Sequence, residues 1–380
     1  MIDDFEKVVI EYLEEVNSLG YIKGGHNGPY YDQETPVRNS ANWIIIFGYF
    51  YKKTKNDKYL RAIIKLADFL ISEKARPDNK NFYCRTNPKK DYSNGIIGPA
   101  WAIQGLVEAY RVTKKEVYIN VADEVFNLHK FDKNNCMWEV LNIDGSETNK
   151  FDNTLNHQIW FAAAGYEIYC ENQNQMILNK LNLFFDLLKD KLKTYRNGLI
   201  KHPLYQSDSV KNKIITILKN IKITLLKIKD KNHYKYKENG YHLFNMYGLS
   251  IFYNLGYEHE LFKTKKFKKA IKYCCSEDLI KSLEFNLDKK YLSNMHKVKN
   301  SKINIYGYPY NAPGFEAPFI FSVFQNYFKE WKKYLRLFED KQLIYTFSSS
   351  DKRYNKNNED YRTLESRFSE YIRYLNNIEG

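Results

Sequence analysis

Cysteine is scarce in this chain of 380 residues: Cys84, Cys136, Cys170, Cys274 and Cys275 are all there is. The number is odd and no Cys-x-x-Cys occurs, which excludes a disulfide framework or a zinc knuckle. Scattered, buried and reduced thiols fit a cytoplasmic setting. No apolar run approaches the roughly 20 residues that cross a bilayer; stretches such as Trp43–Gly48 are far shorter. The opening Met1-Ile2-Asp3-Asp4-Phe5-Glu6-Lys7 is acidic and then amphipathic, unlike the basic and then apolar order of a secretory leader. There is no His-Glu-x-x-His, no acidic calcium loop and no glycine-rich phosphate loop, and the 8 histidines are dispersed. Neither a metal nor any other cofactor is therefore expected. RNP, KH and zinc-finger patterns are missing, so nucleic acid is not an expected partner. β-Strand alternation is nearly absent. The remaining deficit is acidic: 45 Asp and Glu stand against 59 Lys and Arg, a net charge of +14.

That surplus favours a polyanionic partner: an acidic glycan, an anionic lipid surface or a nucleic acid. Apolar residues at 43% supply a large core, and 33 Tyr, 24 Phe and 5 Trp make the chain strongly aromatic. Tyrosine has a flat apolar body and a polar tip, a shape suited to stacking on sugars. Part of the excess is what an AT-rich genome would produce by inflating Lys, Asn, Tyr and Ile together.

A repeat runs through the first half. Trp43, Trp101 and Trp160 are 58 and 59 residues apart, and Thr54 and Tyr59 recur as Thr113 and Tyr118, each 59 residues on. After each Trp comes an apolar helix rich in small residues, a polar turn, and an amphipathic helix at about 57–74, 115–130 and 175–192, with apolar positions at the helical period. Two looser copies follow. One inner helix begins at Tyr241 with an outer helix around 264–276; another begins near Tyr310 with a last helix around 360–377. A period near 60 built from two helices is an α-hairpin repeat. First helices that are apolar on all sides must be buried on all sides, which predicts a ring with first helices inside and second helices outside. Residues before each inner helix then converge on one mouth, where helix N-termini present unpaired N–H groups suited to an anion.

Those loops carry the chemistry. They hold His26, Arg38 and Asn39; Arg85, Asp91 and Asn94; Asp144–Ser146 and Asp152, Asn156 and His157; Tyr241 and His242; and Tyr306, Tyr308, Tyr310 and Asn311. Helix capping and turn formation account for some of the Asn, Asp and Gly here, but not for Arg38, His157 or three closely spaced tyrosines.

The repeated hairpins resemble the (α/α) toroids of the six-hairpin glycosidase superfamily and of the toroid polysaccharide lyases and uronate epimerases. Asn156-His157-Gln158-Ile159-Trp160 resembles the Asn-His-x-x-Trp signature of toroid alginate lyases. That resemblance implies that Asn156 neutralises a uronate carboxylate and His157 acts at or near the base, with Trp160 among the binding residues. The stretches ETPVRNSANW, NGIIGPAWAIQGL and NHQIWFAAAG also look like toroid proteins of surface-glycan assembly clusters.

Three functions are open at this point. Elimination or C5 epimerisation of a uronic acid needs a carboxylate-neutralising group (Arg38, Asn156), a base (His157) and an acid (Tyr308 or Tyr310). Glycoside hydrolysis needs two carboxyl groups, for which Asp152, Asp91 and Glu316 are the candidates; Glu316 lies in an apolar run and is otherwise an ion-pair partner for Arg38 or Arg85. A non-enzymatic polyanion binder would need charge and aromatics alone. His26, Asn39, Arg85, Asn94, His242 and Asn311 complete the candidate binding set. The expected architecture is one all-α, (α/α)6-type toroid domain over 1–380, interrupted by a basic helical insertion around 208–237. Within it, from Lys211 to Lys237, nine lysines accompany a single acid, Asp230, and Ile214, Ile217, Leu218, Ile221, Leu225 and Ile228 share one helical face. It reads as a basic outer helix or as an interfacial helix holding the protein to an anionic membrane.

Overall fold

The computed structural model describes residues 2–26, 28–202, 204, 231–284 and 304–379. The expected basic insertion falls almost wholly on residues outside this set; only its last few residues enter, as the start of a helix.

The helices are α1 (Ile2–Leu19), α2 (Val37–Thr54), α3 (Asp57–Ile71), α4 (Ile97–Thr113), α5 (Glu116–Leu128), α6 (Leu155–Asn172), α7 (Gln175–Lys191), α8 (Lys231–Asn254), α9 (Lys265–Tyr273), α10 (Glu277–Glu284), α11 (Pro313–Val323), α12 (Trp331–Thr346), α13 (Tyr361–Ser366) and α14 (Phe368–Glu379). Helices α2, α4, α6, α8, α11 and α14 each pack on the next, and α14 packs back on α2, which closes a ring of six. Helices α3, α5, α7 and α12 each follow an inner helix and lie outside it; α9 and α10 stand behind α8, and α1 completes the outer layer. The fold is an (α/α)6 toroid.

Sequence chemistry dictates this order. From Val37 to Phe50 every residue of α2 is buried, polar Arg38, Asn39, Ser40 and Asn42 included. A helix apolar on all sides has no face to give to water. The 59-residue period is written into the turns as well. Lys55, Lys114 and Gln173, each 59 residues apart, adopt left-handed φ of 54°, 56° and 57° and end α2, α4 and α6. The side chains of Asn56 and Asn174 then cap α3 and α7 by accepting from Lys58 N–H and Met176 N–H.

Four expectations are corrected. The helix at the C-terminal end, placed at about 360–377 as an outer one, is α13–α14, an inner element. The outer partner of α11 is α12, and the sixth hairpin is made by the two ends of the chain: Phe5 of α1 stacks on Phe368 of α14 at 3.7 Å. Helix α8 starts at Lys231, ten residues before Tyr241. Between α5 and α6 lies an antiparallel sheet, β1 (Phe131–Asp132), β2 (Met137–Leu141) and β3 (Glu147–Phe151), where almost no strand was expected. Strand β2 does not alternate, because Met137, Trp138, Val140 and Leu141 are all buried, and β3 is polar throughout most of its length. Asp144–Ser146, assigned to the mouth, is the turn between β2 and β3: Gly145 N–H donates to Asn142 O.

His242, a candidate binding residue, is a core histidine. Its Nδ1 accepts from Ile200 N–H at 3.3 Å and its Nε2 donates to Ala270 O at 3.0 Å. Burial pushes its pKa down to about 4, as it does for His129, which lies behind β2. A base whose folded pKa is depressed stabilises the fold above its unfolded value, near 6.5, and withdraws that stability as pH falls towards 4. Each of the two contributes about 3 kcal/mol once protonation is forced. Urea unfolding is therefore expected to show steep loss of stability between pH 6.5 and 4. The variant His242→Ala should lose about 2–4 kcal/mol at pH 7 and have a visibly shallower acid limb.

Candidate active site at the ring mouth

His157 stands in the first turn of α6, and Asp152 in the loop ahead of it. The ring Nδ1 lies 2.6 Å from Asp152 Oδ2. Asp152 Oδ1 accepts from Thr154 N–H at 3.1 Å, and Oδ2 receives Ile96 N–H at 3.4 Å. Burial opposes charge on this carboxyl, but the imidazole and the Thr154 hydroxyl and amide outweigh it and hold the pKa below the usual carboxylate range. An ionised Asp152 accepting from Nδ1–H fixes the tautomer that leaves Nε2 free to take a proton.

Two arginines and one amide face the same space. Arg38, in the first turn of α2, is 5% exposed; its guanidinium lies 4.0 Å over the Trp101 ring and reaches Glu34 at 3.3 Å. Burial raises the Glu34 pKa, with Arg38 opposing. Arg367, at the junction of α13 and α14, bonds Glu316 at 2.5 Å and Glu370 at 2.8 Å and sits 5.0 Å from the Phe244 ring. Burial drives the Glu316 and Glu370 carboxyls upward with Arg367 opposing at both, and the Glu370 charge raises Glu316 further, so the pair tends to keep a proton while Arg367 stays charged. Asn156 is fully buried, and among the described residues neither its Oδ1 nor its Nδ2 has a partner; the same holds for Nε of both arginines. An unpaired buried amide costs about 1–3 kcal/mol, a cost that a ligand bonding both of its ends would remove.

Gly28, Arg38, Trp101, Asn156, His157, Tyr241, Phe244, Tyr310, Asn311, Thr363 and Arg367 line one small central cavity of about 40 Å³. Asn311 Nδ2 donates to Gly240 O at 2.8 Å. His26 packs on Tyr31 and Tyr310, with ring centroids 4.7 Å and 5.9 Å away. Burial raises the Tyr310 and Tyr241 hydroxyls, keeping both protonated. A wider cleft of about 660 Å³, lined among others by Arg85, Asp91, Asn94, Asp152 and His157, adjoins the cavity at His157.

No family model matches the chain. It is 30% identical over 366 residues to archaeal glycosylation protein Q of Haloferax volcanii, covering 94% of this chain and 92% of that protein. The chain belongs to the archaeal glycosylation protein Q family. A cellobiose 2-epimerase of Dictyoglomus turgidum is 23% identical over 285 residues, 73% of this chain and 65% of that one. Among solved structures, cellobiose 2-epimerase of Bacillus thermoamylovorans superposes with a TM-score of 0.56 at 14% identity, covering 97% of this chain and 99% of that one. A polysaccharide lyase gives 0.54 at 10% identity over 98% and 96%. At such identities the structural likeness is one of fold, the (α/α) toroid.

In this glycosylation protein Q relative the mouth gathers Arg38, Asn156, His157, Tyr310 and Asn311 around one cavity, and Asp152, Asp91, Asn94 and Arg85 around the adjoining cleft. Other candidates lie elsewhere. Tyr308 is buried against Tyr345 at 5.2 Å. Trp160 donates from Nε1 to Phe244 O at 2.9 Å and stacks beneath the cavity. Asn39 donates to Lys23 O at 2.9 Å. Glu316 sits behind Arg367, which is its partner in place of Arg38 or Arg85. Trp101, Phe244 and Arg367 were not anticipated. The polar run Asn358-Glu359-Asp360-Tyr361-Arg362-Thr363 before α14 was the available signal for Arg367, since α2, α4 and α6 are each preceded by such a run. Among the described residues no three His, Cys, Asp or Glu side chains converge to hold a metal ion.

Gly95 bounds the dyad. Its φ is +63°, and a Cβ there would stand 2.1 Å from Asp152 Oδ2. Gly95→Ala is expected to displace Asp152, lowering turnover by about 10-fold or more with a smaller change in substrate affinity; steady-state kinetics with circular dichroism as a folding control would check it.

Proposed function

We propose that the protein is a carbohydrate-active enzyme that withdraws the C5 proton of a uronic acid unit in an acidic glycan. The observation that carries this reading is the lining of the central cavity: two arginines, an orphaned amide and a carboxylate-held histidine, with no carboxylate among the lining residues. In this reading the sugar carboxylate lies against Arg38 and Asn156, with Arg367 adding positive charge. Those groups stabilise the charge that builds on the carboxylate as the C5–H bond breaks. His157 Nε2 takes the proton, and Asp152 positions the ring and stabilises the imidazolium. Tyr310 delivers a proton: to the opposite face of C5, giving the epimer, or to the departing O4, giving an unsaturated product.

Names among the relatives support proton transfer at a sugar carbon, since they include epimerases and a lyase. Hydrolysis fits less well. Asp152 is held by His157, Asp91 is bound by Arg85 at 2.5 Å, and Glu316 is bound by Arg367. A non-enzymatic binder would have no use for an oriented Asp–His pair.

Incubation with a panel of uronate oligosaccharides separates the outcomes. Ultraviolet absorption from an unsaturated product supports elimination, and an inverted C5 without cleavage supports epimerisation. A new reducing end without unsaturation would overturn the proposal in favour of hydrolysis.

A further inference from the structure

The unexpected sheet gives the mouth an extension. Strands β2 and β3 and the turn between them contribute Val140, Asn142, Thr148, Lys150 and Phe151 to the lining of the 660 Å³ cleft, and the loop ahead of α4 contributes Arg85, Lys89 and Lys90. Asp152 and His157 stand at its inner end, where it meets the central cavity. The difference in size matters. A cavity of about 40 Å³ holds little more than a water or a single functional group, whereas the cleft has room for a sugar ring and more.

Charge in the cleft is one-sided. Four cations line it against two carboxylates, and both carboxylates are committed: Asp91 to Arg85, and Asp152 to His157. Lys90 is bound to Asp32. Lys89 and Lys150 are exposed and take part in no ion pair among the described residues. They leave positive charge on two separate elements of the lining, the loop ahead of α4 and strand β3.

We infer that this cleft binds a second anionic group covalently linked to the reacting uronate, so that the substrate is a linked glycan unit and not a free sugar. The inference rests on the proposed uronate chemistry and names its substrate class. The second anion is a neighbouring sugar's carboxylate or a phosphoryl group; both are oxyanions that two ammonium groups attract. Phe151 and the strand edge supply an apolar and hydrogen-bonding floor for the sugar between them.

Equilibrium binding tests the inference without needing turnover. Calorimetry would compare a free hexuronate, a di-uronate and a hexuronate 1-phosphate on the wild-type chain and on the double variant Lys89→Ala/Lys150→Ala. Both lysines are exposed, so the variant should fold, and unchanged binding of the free hexuronate would confirm that it does. The expected result is at least 10-fold tighter wild-type binding of one or both dianionic ligands, lost in the double variant and weakened by salt. The preferred ligand identifies the source of the anion. Equal affinity for free and linked uronates, or a preference that survives the double variant, would overturn the inference. C5 exchange without this preference sinks the cleft assignment alone; the preference without exchange sinks the proton chemistry alone. No binding of any of the three sinks both.

Discussion

Replacing His157 with alanine is expected to lower C5 proton exchange by about 10²–10⁴-fold, the usual worth of a positioned general base. Substrate affinity should change far less, because the proposed carboxylate contacts are those of Arg38 and Asn156. Asp152→Asn tests the same unit from behind. Asparagine can still bond Nδ1, at the 2.6 Å separation seen for the carboxylate, but it supplies no negative charge for the imidazolium and can enforce the other tautomer. Its loss should approach that of His157→Ala, and the double variant should cost little more than either single one, as for residues that act as a unit. Full additivity, or unchanged exchange in His157→Ala, would mean that another group takes the proton.

The second large effect is expected at Arg38. Its guanidinium is wedged between the Trp101 face at 4.0 Å and Glu34 at 3.3 Å. Charge-assisted hydrogen bonds of this type contribute about 1.5–3 kcal/mol, so Arg38→Lys, which keeps the charge but loses the fork, should weaken uronate binding by about 10–100-fold. Neutral sugars should be unaffected. Arg38→Ala would normally strand a buried anion. Here burial already raises the Glu34 pKa, so the carboxyl can take up a proton and the fold should survive, with raised sensitivity to alkaline pH. Thermal unfolding at pH 6 and pH 9 would read that sensitivity: the variant is expected to lose more stability than the wild type on going to pH 9.

The ring was legible because its cause is local. A helix apolar on every side, repeated with Trp43, Trp101 and Trp160 as markers, can be buried only by neighbours of its own kind. The mouth followed from the direction in which those helices run. The sixth hairpin was not legible, since its halves lie at opposite ends of the sequence and no turn joins α14 to α1; Arg367 was lost with it. The sheet escaped because β2 is buried on both faces and β3 on hardly any of its length, so neither strand alternates. Within the candidate site, Tyr308 and Tyr310 are two residues apart, yet one is core and one lines the cavity. They sit among turns, where no period distinguishes inside from outside. The three repeat tryptophans diverge for a related reason. They fall at the seventh, fifth and sixth positions of α2, α4 and α6, so Trp43 packs outward on Phe5 and Tyr12, Trp101 floors Arg38, and Trp160 supports Phe244.

Proton NMR of a uronate oligosaccharide incubated with the enzyme in D2O reads the central claim at the atom concerned. Exchange of the C5 proton for deuterium in the presence of the wild-type protein, and its absence with His157→Ala, is the predicted result. A C5 signal that stays intact while the glycan is turned over would contradict the assignment of His157 as the base and of the ring mouth as a proton-transfer site.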